Sequence, residues 1–215
     1  MTVDSPQQSS TSSEGIATAS VAPPLGTDQK LRIGAYTLIA SLLRDAPDQA
    51  VLDYLIEAGR NATDTDDIGG AMHDLATAAA ACSTDQANEE FHDLFVGIGR
   101  GELVPFGSWY LTGFLMEKPL SLLRTDLAEL GFERQPEVVE PEDHAAALAE
   151  VMAMLISDGT VHETQLKFFT QHMGPWMGRF MSDLQNAKSA NFYRSVGKFG
   201  AAFISLESRY FEMQA

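Results

Sequence analysis

The sequence predicts an all-α fold, a single helical bundle, and three observations carry that expectation. From residue 28 onward apolar residues recur at three- and four-residue intervals, as in Phe91, Leu94, Phe95 and Ile98, which is one face of a helix with 3.6 residues per turn. No alternating run with a turn-linked partner reads as a strand pair, and no 34- or 40-residue repeat is present. The 215 residues are 45% hydrophobic, enough for one sizeable core.

Residues 1–27 hold Ser9-Ser10-Thr11-Ser12-Ser13 and Pro23-Pro24. They carry too little apolar surface to fold and read as a disordered tail ahead of one domain, 28–215. The first helix begins near Asp28 with Leu31, Ala35, Leu38 and Leu42 on its apolar stripe, and Pro47 opens a second with Leu52, Leu55 and Ile56. Asp64 to Ala81 forms a third, weakened by Gly69-Gly70, and Asp85 to Ile98 a fourth. Residues 97–107 are too rich in Gly and Pro to stay helical and are expected to act as a hinge between two helical halves. Beyond them come a short segment at Ser108–Met116, helices from Pro119 and from Pro141 to Ser157, and a helix over Glu163–Lys188 broken at Gly174-Pro175. A last helix carries Phe192, Val196, Phe199, Phe203, Leu206 and Tyr210. Such a hinge also permits a homodimer formed by domain swapping.

Thirty acidic residues against 14 basic ones give a formal charge of -16. That sign excludes nucleic acid as a natural partner and favours cationic ones such as Arg-rich peptides, although solubility alone also accounts for an acidic surface. Cys82 is the sole cysteine, so neither a disulfide framework nor a Cys-based zinc site is available, and a reducing compartment fits best. The N-terminus lacks the basic start and apolar core of a secretory signal. No stretch of about 18 apolar residues reads as a membrane span.

Motifs for catalysis are absent. The run Gly97-Ile98-Gly99-Arg100-Gly101 places Glu102 where a dinucleotide fingerprint needs its third glycine, and no strand precedes it. His162-Glu163 is followed by Leu166 where a zinc protease has its second histidine, and His144, His162 and His172 have no ligand partner at i+3 or i+4. With no nucleophile elbow either, no enzyme activity, metal or cofactor is expected. Two segments of mixed character remain, Pro105-Phe106-Gly107-Ser108-Trp109-Tyr110 and Glu140-Pro141-Glu142-Asp143-His144. The first reads locally as core packing of adjacent aromatics. The second reads equally as a helix start, with proline at the first position and carboxylates facing the dipole, or as an acidic binding element.

These two segments, preceded by Glu90-Phe91-His92-Asp93-Leu94-Phe95-Val96-Gly97, resemble in the same order three motifs of the TorD/DmsD/NarJ family of redox-enzyme maturation chaperones. His172-Met173-Gly174-Pro175-Trp176 through Phe192-Tyr193-Arg194 is similar too, so the resemblance runs from about residue 28 to the end. It implies an all-α cytoplasmic chaperone for molybdopterin enzymes that carry twin-arginine leaders. Such a protein binds the leader and the apoenzyme, assists cofactor insertion and delays export. It implies a leader site at Glu140, Pro141, Asp143 and His144, joined by Leu94, Phe95, Pro105 and Phe106 and by the neighbouring aromatics Trp109 and Tyr110. A basic and then apolar leader requires carboxylates beside an apolar groove, which agrees with that assignment. The competing readings are an acidic helical adaptor for a folded basic partner and a weak guanine-nucleotide-binding protein using the glycine loop.

Overall fold

The computed structural model describes residues 25–62, 66–97, 101–133 and 140–214. The expected tail, residues 1–27, lies outside the described residues over 1–24. Among the described residues ten α-helices run in order: α1 Thr27–Arg44, α2 Gln49–Asn61, α3 Asp67–Ala80, α4 Thr84–Phe91, α5 Gly107–Thr112, α6 Lys118–Glu129, α7 Ala145–Ser157, α8 His162–Phe168, α9 Met177–Asn186 and α10 Phe192–Gln214. One π-helical turn, His92–Val96, continues α4, and another, Phe169–Met173, continues α8. No strand is present among the described residues; the one β-bridge joins Phe106 and His144.

Local chemistry sets several of these boundaries. Ser83 and Gln86 form a reciprocal capping box at α4, and Asp48 and Asp66 accept from Val51 and Gly69 N–H at the starts of α2 and α3, each satisfying a donor that the helix itself leaves open. The expected break at Gly174-Pro175 falls between the second π turn and α9.

Packing centres on α10, which lies against α9, α3, α4 and α1, while α1 packs along α7 and α2 along α3. The α9–α10 contact is backbone to backbone. A Cβ on Gly197 would stand 2.6 Å from Gln185 N and 2.7 Å from Met181 O, so only glycine allows this approach. Around it Phe180, Met181, Phe192, Tyr193 and Phe203 are buried.

One core feature differs from the expectation. Leu31, placed on the apolar stripe of α1 by its spacing, is 67% exposed, and the adjacent Arg32 is buried. The reason lies on α10: Glu207, 1% exposed, accepts from Arg32 Nε at 2.7 Å and Nη2 at 2.8 Å and from the Tyr36 hydroxyl at 2.7 Å. Gln165 accepts from Arg32 Nη1 at 3.0 Å, and the guanidinium lies over the Tyr210 ring at 4.3 Å. A charge thus enters the core with its partners.

The Gly/Pro-rich break lies where the sequence places it, with residues 98–100 outside the described residues. Its described part is anchored. Glu102 and Leu103 N–H donate to Asp93 and Leu94 O, and the Glu102 carboxylate accepts from Lys188 and Ser189 N–H at 2.7 and 2.9 Å. Glu90 accepts from three successive N–H groups, Asn191, Phe192 and Tyr193, at 2.6, 3.0 and 2.6 Å. The motif that begins at Glu90 therefore fastens α4 to the start of α10, whose first amides have no partner within the helix. Leu94 is fully buried, and the Phe95 ring packs on Phe91 and Tyr193. No helix among the described residues is long and apolar enough to cross a membrane.

Candidate functional site

The two mixed segments meet. Helix α7 begins at Ala145, four residues later than the expected start at Pro141, because residues 141–144 form a turn in which Asp143 serves another element. Ser108 N–H donates to Asp143 Oδ2 at 2.7 Å, Gly107 N–H to Asp143 O at 2.9 Å, and Ala145 N–H to Pro105 O at 2.8 Å. Asp143 thus satisfies the open N-terminal amide of α5, instead of standing in the first turn of its own helix. His144 caps α7, with Ala146 N–H donating to its Nδ1 at 3.1 Å, and the Phe106 ring meets the imidazole edge-on at 4.9 Å.

Behind this seam Tyr110 packs on Trp176 and Phe180 and donates its hydroxyl to Asp183 Oδ2 at 3.1 Å. Burial and the Asp183 carboxylate raise its phenol pKa. Trp176 donates its indole N–H to His172 O at 2.7 Å, and a Cβ on Gly107 would stand only 3.1 Å from that nitrogen. Trp109 is half-buried.

The turn borders a cavity of about 680 Å³ on one side. Its carboxylates are Glu133, Glu140, Glu142 and Glu150, its cations Arg44 and Arg124, and its apolar wall includes Leu127, Phe132, Val151 and Met154. Arg44 Nε donates to Glu150 at 2.8 Å and Arg124 Nε to Glu142 at 2.9 Å, so among the described residues the lining sets four carboxylates and two guanidinium groups beside an apolar surface. On the other side of the turn lies a second cavity of about 650 Å³, walled by Leu111, Leu122, Leu123, Leu148 and Trp176 and bordered by Asp143.

The structure sorts the sequence-derived site residues accordingly. Glu140, Pro141 and His144 line the acidic cavity, and Asp143 borders the second. Pro105 and Phe106 form the seam, Tyr110 and Trp109 lie behind it, and Leu94 and Phe95 pack against α4 and α10, in neither lining. Sequence reasoning passed over Arg44, Arg124, Phe132, Glu150 and Met154. Only the acidic element Glu140-Pro141-Glu142-Asp143-His144 hinted at such a cavity, and residues 134–139 ahead of it lie outside the described residues. Among the described residues no three His, Cys, Asp or Glu groups converge to hold a metal.

Burial, and next to it the Arg44 charge, lower the His144 pKa from about 6.5 to about 4. The folded protein holds the ring neutral while the unfolded chain protonates it. Stability present above pH 6.5 is therefore lost as pH falls toward 4. Between pH 7.5 and 5 this linkage is worth about 2 kcal/mol. His144→Asn keeps a capping side chain but cannot titrate, so the parent is expected to lose about 2 kcal/mol more than the variant over that range in urea unfolding. Equal losses would contradict it.

Comparison with known proteins now bears on this geometry. A family model, described as the nitrate reductase delta subunit, matches residues 61–182, more than half of the chain. The chain belongs to this family. Within the TorD/DmsD/NarJ family so matched, the chain is 29% identical over 126 residues to the chaperone protein TorD of Vibrio cholerae, covering 54% of this chain and 57% of that protein. It is 29% identical over 129 residues to the Tat proofreading chaperone DmsD of Salmonella typhi, covering 58% of this chain and 63% of that one. The matches thus span somewhat over half the length of these curated relatives. A redox enzyme maturation protein from Archaeoglobus fulgidus has a similar structure, with a TM-score of 0.53 at 14% identity over 87% of this chain and 99% of that one, a likeness of fold alone. The family match encloses both the seam and the turn.

Proposed function

We propose that this chain is a cytoplasmic maturation chaperone that binds the basic leader of a redox enzyme before export and holds the apoenzyme while its cofactor is inserted. The observation that carries this reading is the acidic cavity at Glu140–His144, where Glu133, Glu140, Glu142 and Glu150 stand beside Leu127, Phe132, Val151 and Met154. A peptide with paired arginines followed by apolar residues matches it in charge and polarity, since guanidinium pairs with carboxylate in a forked geometry and the apolar residues leave water. The family relationship supports the same class of function, because its relatives include a chaperone named for proofreading Tat substrates.

The test is fluorescence anisotropy with a labelled leader peptide bearing Arg-Arg and an apolar stretch. Glu133→Gln with Glu140→Gln removes charge without volume and is expected to weaken binding about tenfold or more. Raising salt from low to about 0.5 M should weaken the parent's binding in the same direction. An affinity unchanged by both would remove the acidic cavity from leader recognition.

A further inference from the structure

We infer that the turn at 140–144 divides a leader's two adjacent arginines between the two cavities, one guanidinium meeting the glutamates and the other reaching Asp143 and Ser108. This rests on the leader-binding reading and specifies how the same site is occupied.

The turn and α6 together form a partition. Glu140, Pro141, Glu142 and His144 line the acidic cavity, as do Arg124 and Leu127 of α6; Asp143 borders the second cavity, with Leu122, Leu123 and Asp126 of α6. The Arg124–Glu142 pair ties α6 to the turn along this divide.

Asp143 in the wall of the second cavity, and Ser108, which lies outside that lining and whose amide Asp143 holds, carry an unmet demand for hydrogen bonds. Asp143 is 3% exposed; its Oδ2 is taken by Ser108 N–H, and its Oδ1 has no partner. Ser108 is fully buried and its Oγ has none either. Among the described residues three buried side-chain nitrogen or oxygen atoms are left so, and these are two of them. A buried acceptor without a donor is costly, and it marks a place that an incoming donor can fill.

The cavity's walls select the donor. Leu111 and Leu122 are 43% and 54% exposed, with Leu123 and Leu148 buried behind them. A side chain with a hydrocarbon stem and donors at its tip suits such a site. Of the two cationic side chains arginine has the weaker hydration and the larger donor set. The cavity's other charges are Lys118, Lys167 and Asp126, and His172 also lines it. Asp126 accepts from Lys167 at 3.0 Å and is paired with His172 at 2.7 Å, so Asp143 is the acceptor open to a guest. Successive side chains of an extended peptide point to opposite faces. An Arg-Arg pair laid across the partition therefore sends one arginine to each side.

The experiment measures the affinity of Arg-Arg, Lys-Arg and Arg-Lys leader peptides for the parent protein and for Ser108→Ala, Asp143→Asn and Glu140→Gln. Each variant is expected to weaken the Arg-Arg peptide by about tenfold. The Ser108→Ala and Asp143→Asn penalties should vanish on one of the lysine-substituted peptides, and the Glu140→Gln penalty on the other. Ser108→Ala removes a hydroxyl that has no partner, so its melting temperature should match or exceed the parent's, and it decides the question even if Asp143→Asn unfolds. Absence of the Ser108→Ala penalty, or its coupling to the same arginine as Glu140, would overturn the division while leaving leader binding intact. If Glu140→Gln also binds every peptide as the parent does, the leader-binding reading fails with it.

Discussion

Glu207→Leu is expected to lower the free energy of unfolding by about 3–5 kcal/mol, the largest single effect anticipated in this protein. The Arg32 and Glu207 side chains are 7% and 1% exposed, and the carboxylate is held by both guanidinium donors and the Tyr36 hydroxyl. Removing it leaves a buried cation with Gln165 as its remaining side-chain acceptor and Tyr36 without its acceptor, and an unpaired buried charge costs far more than an intact pair contributes. The double variant Arg32→Met with Glu207→Leu should recover most of the loss, because neither charge then has to be desolvated. Urea unfolding of the two variants reads this directly. A single-variant loss below about 1 kcal/mol would mean that water reaches the pair.

Glu90→Ala is expected to cost about 3 kcal/mol. Its carboxylate serves three consecutive amides at the start of α10, two of them through buried hydrogen bonds, and alanine leaves all three open within a packed corner formed by Phe91, Phe95 and Tyr193. Amide exchange at Asn191–Tyr193 should accelerate in the variant more than exchange in α7 does. The neighbouring Glu102 makes a similar contact with Lys188 and Ser189, but in an exposed position, so Glu102→Ala should cost far less. Comparable losses for the two would refute the assignment of the corner's stability to Glu90.

The helices were legible because their signals are local: the spacing of Phe91, Leu94 and Phe95, the glycines and prolines at 97–107, and the break at Gly174-Pro175. The placement of Arg32 was not, since a charged residue beside Leu31 reads as solvated unless Glu207, 175 positions away, is known to oppose it. The start of α7 was misplaced for a related reason. Pro141 followed by carboxylates satisfies every local rule for a helix start, yet Asp143 serves the amide of Ser108, 35 residues earlier. The acidic cavity was half legible. Its glutamates on the turn stand together in sequence, whereas Arg44 and Glu150 come from α1 and α7, which pack side by side.

The seam between residues 105–108 and 141–145 also gives the protein an optical property. Its two tryptophans, Trp109 and Trp176, both stand at this seam, one on the helix that Asp143 caps and the other in the wall of the second cavity. A charged guest that reaches Asp143 alters the electrostatic environment of the buried Trp176 indole in that wall. With Trp109 and Trp176 the chain's two indoles, a change in the intrinsic emission of the unlabelled protein reports on the seam.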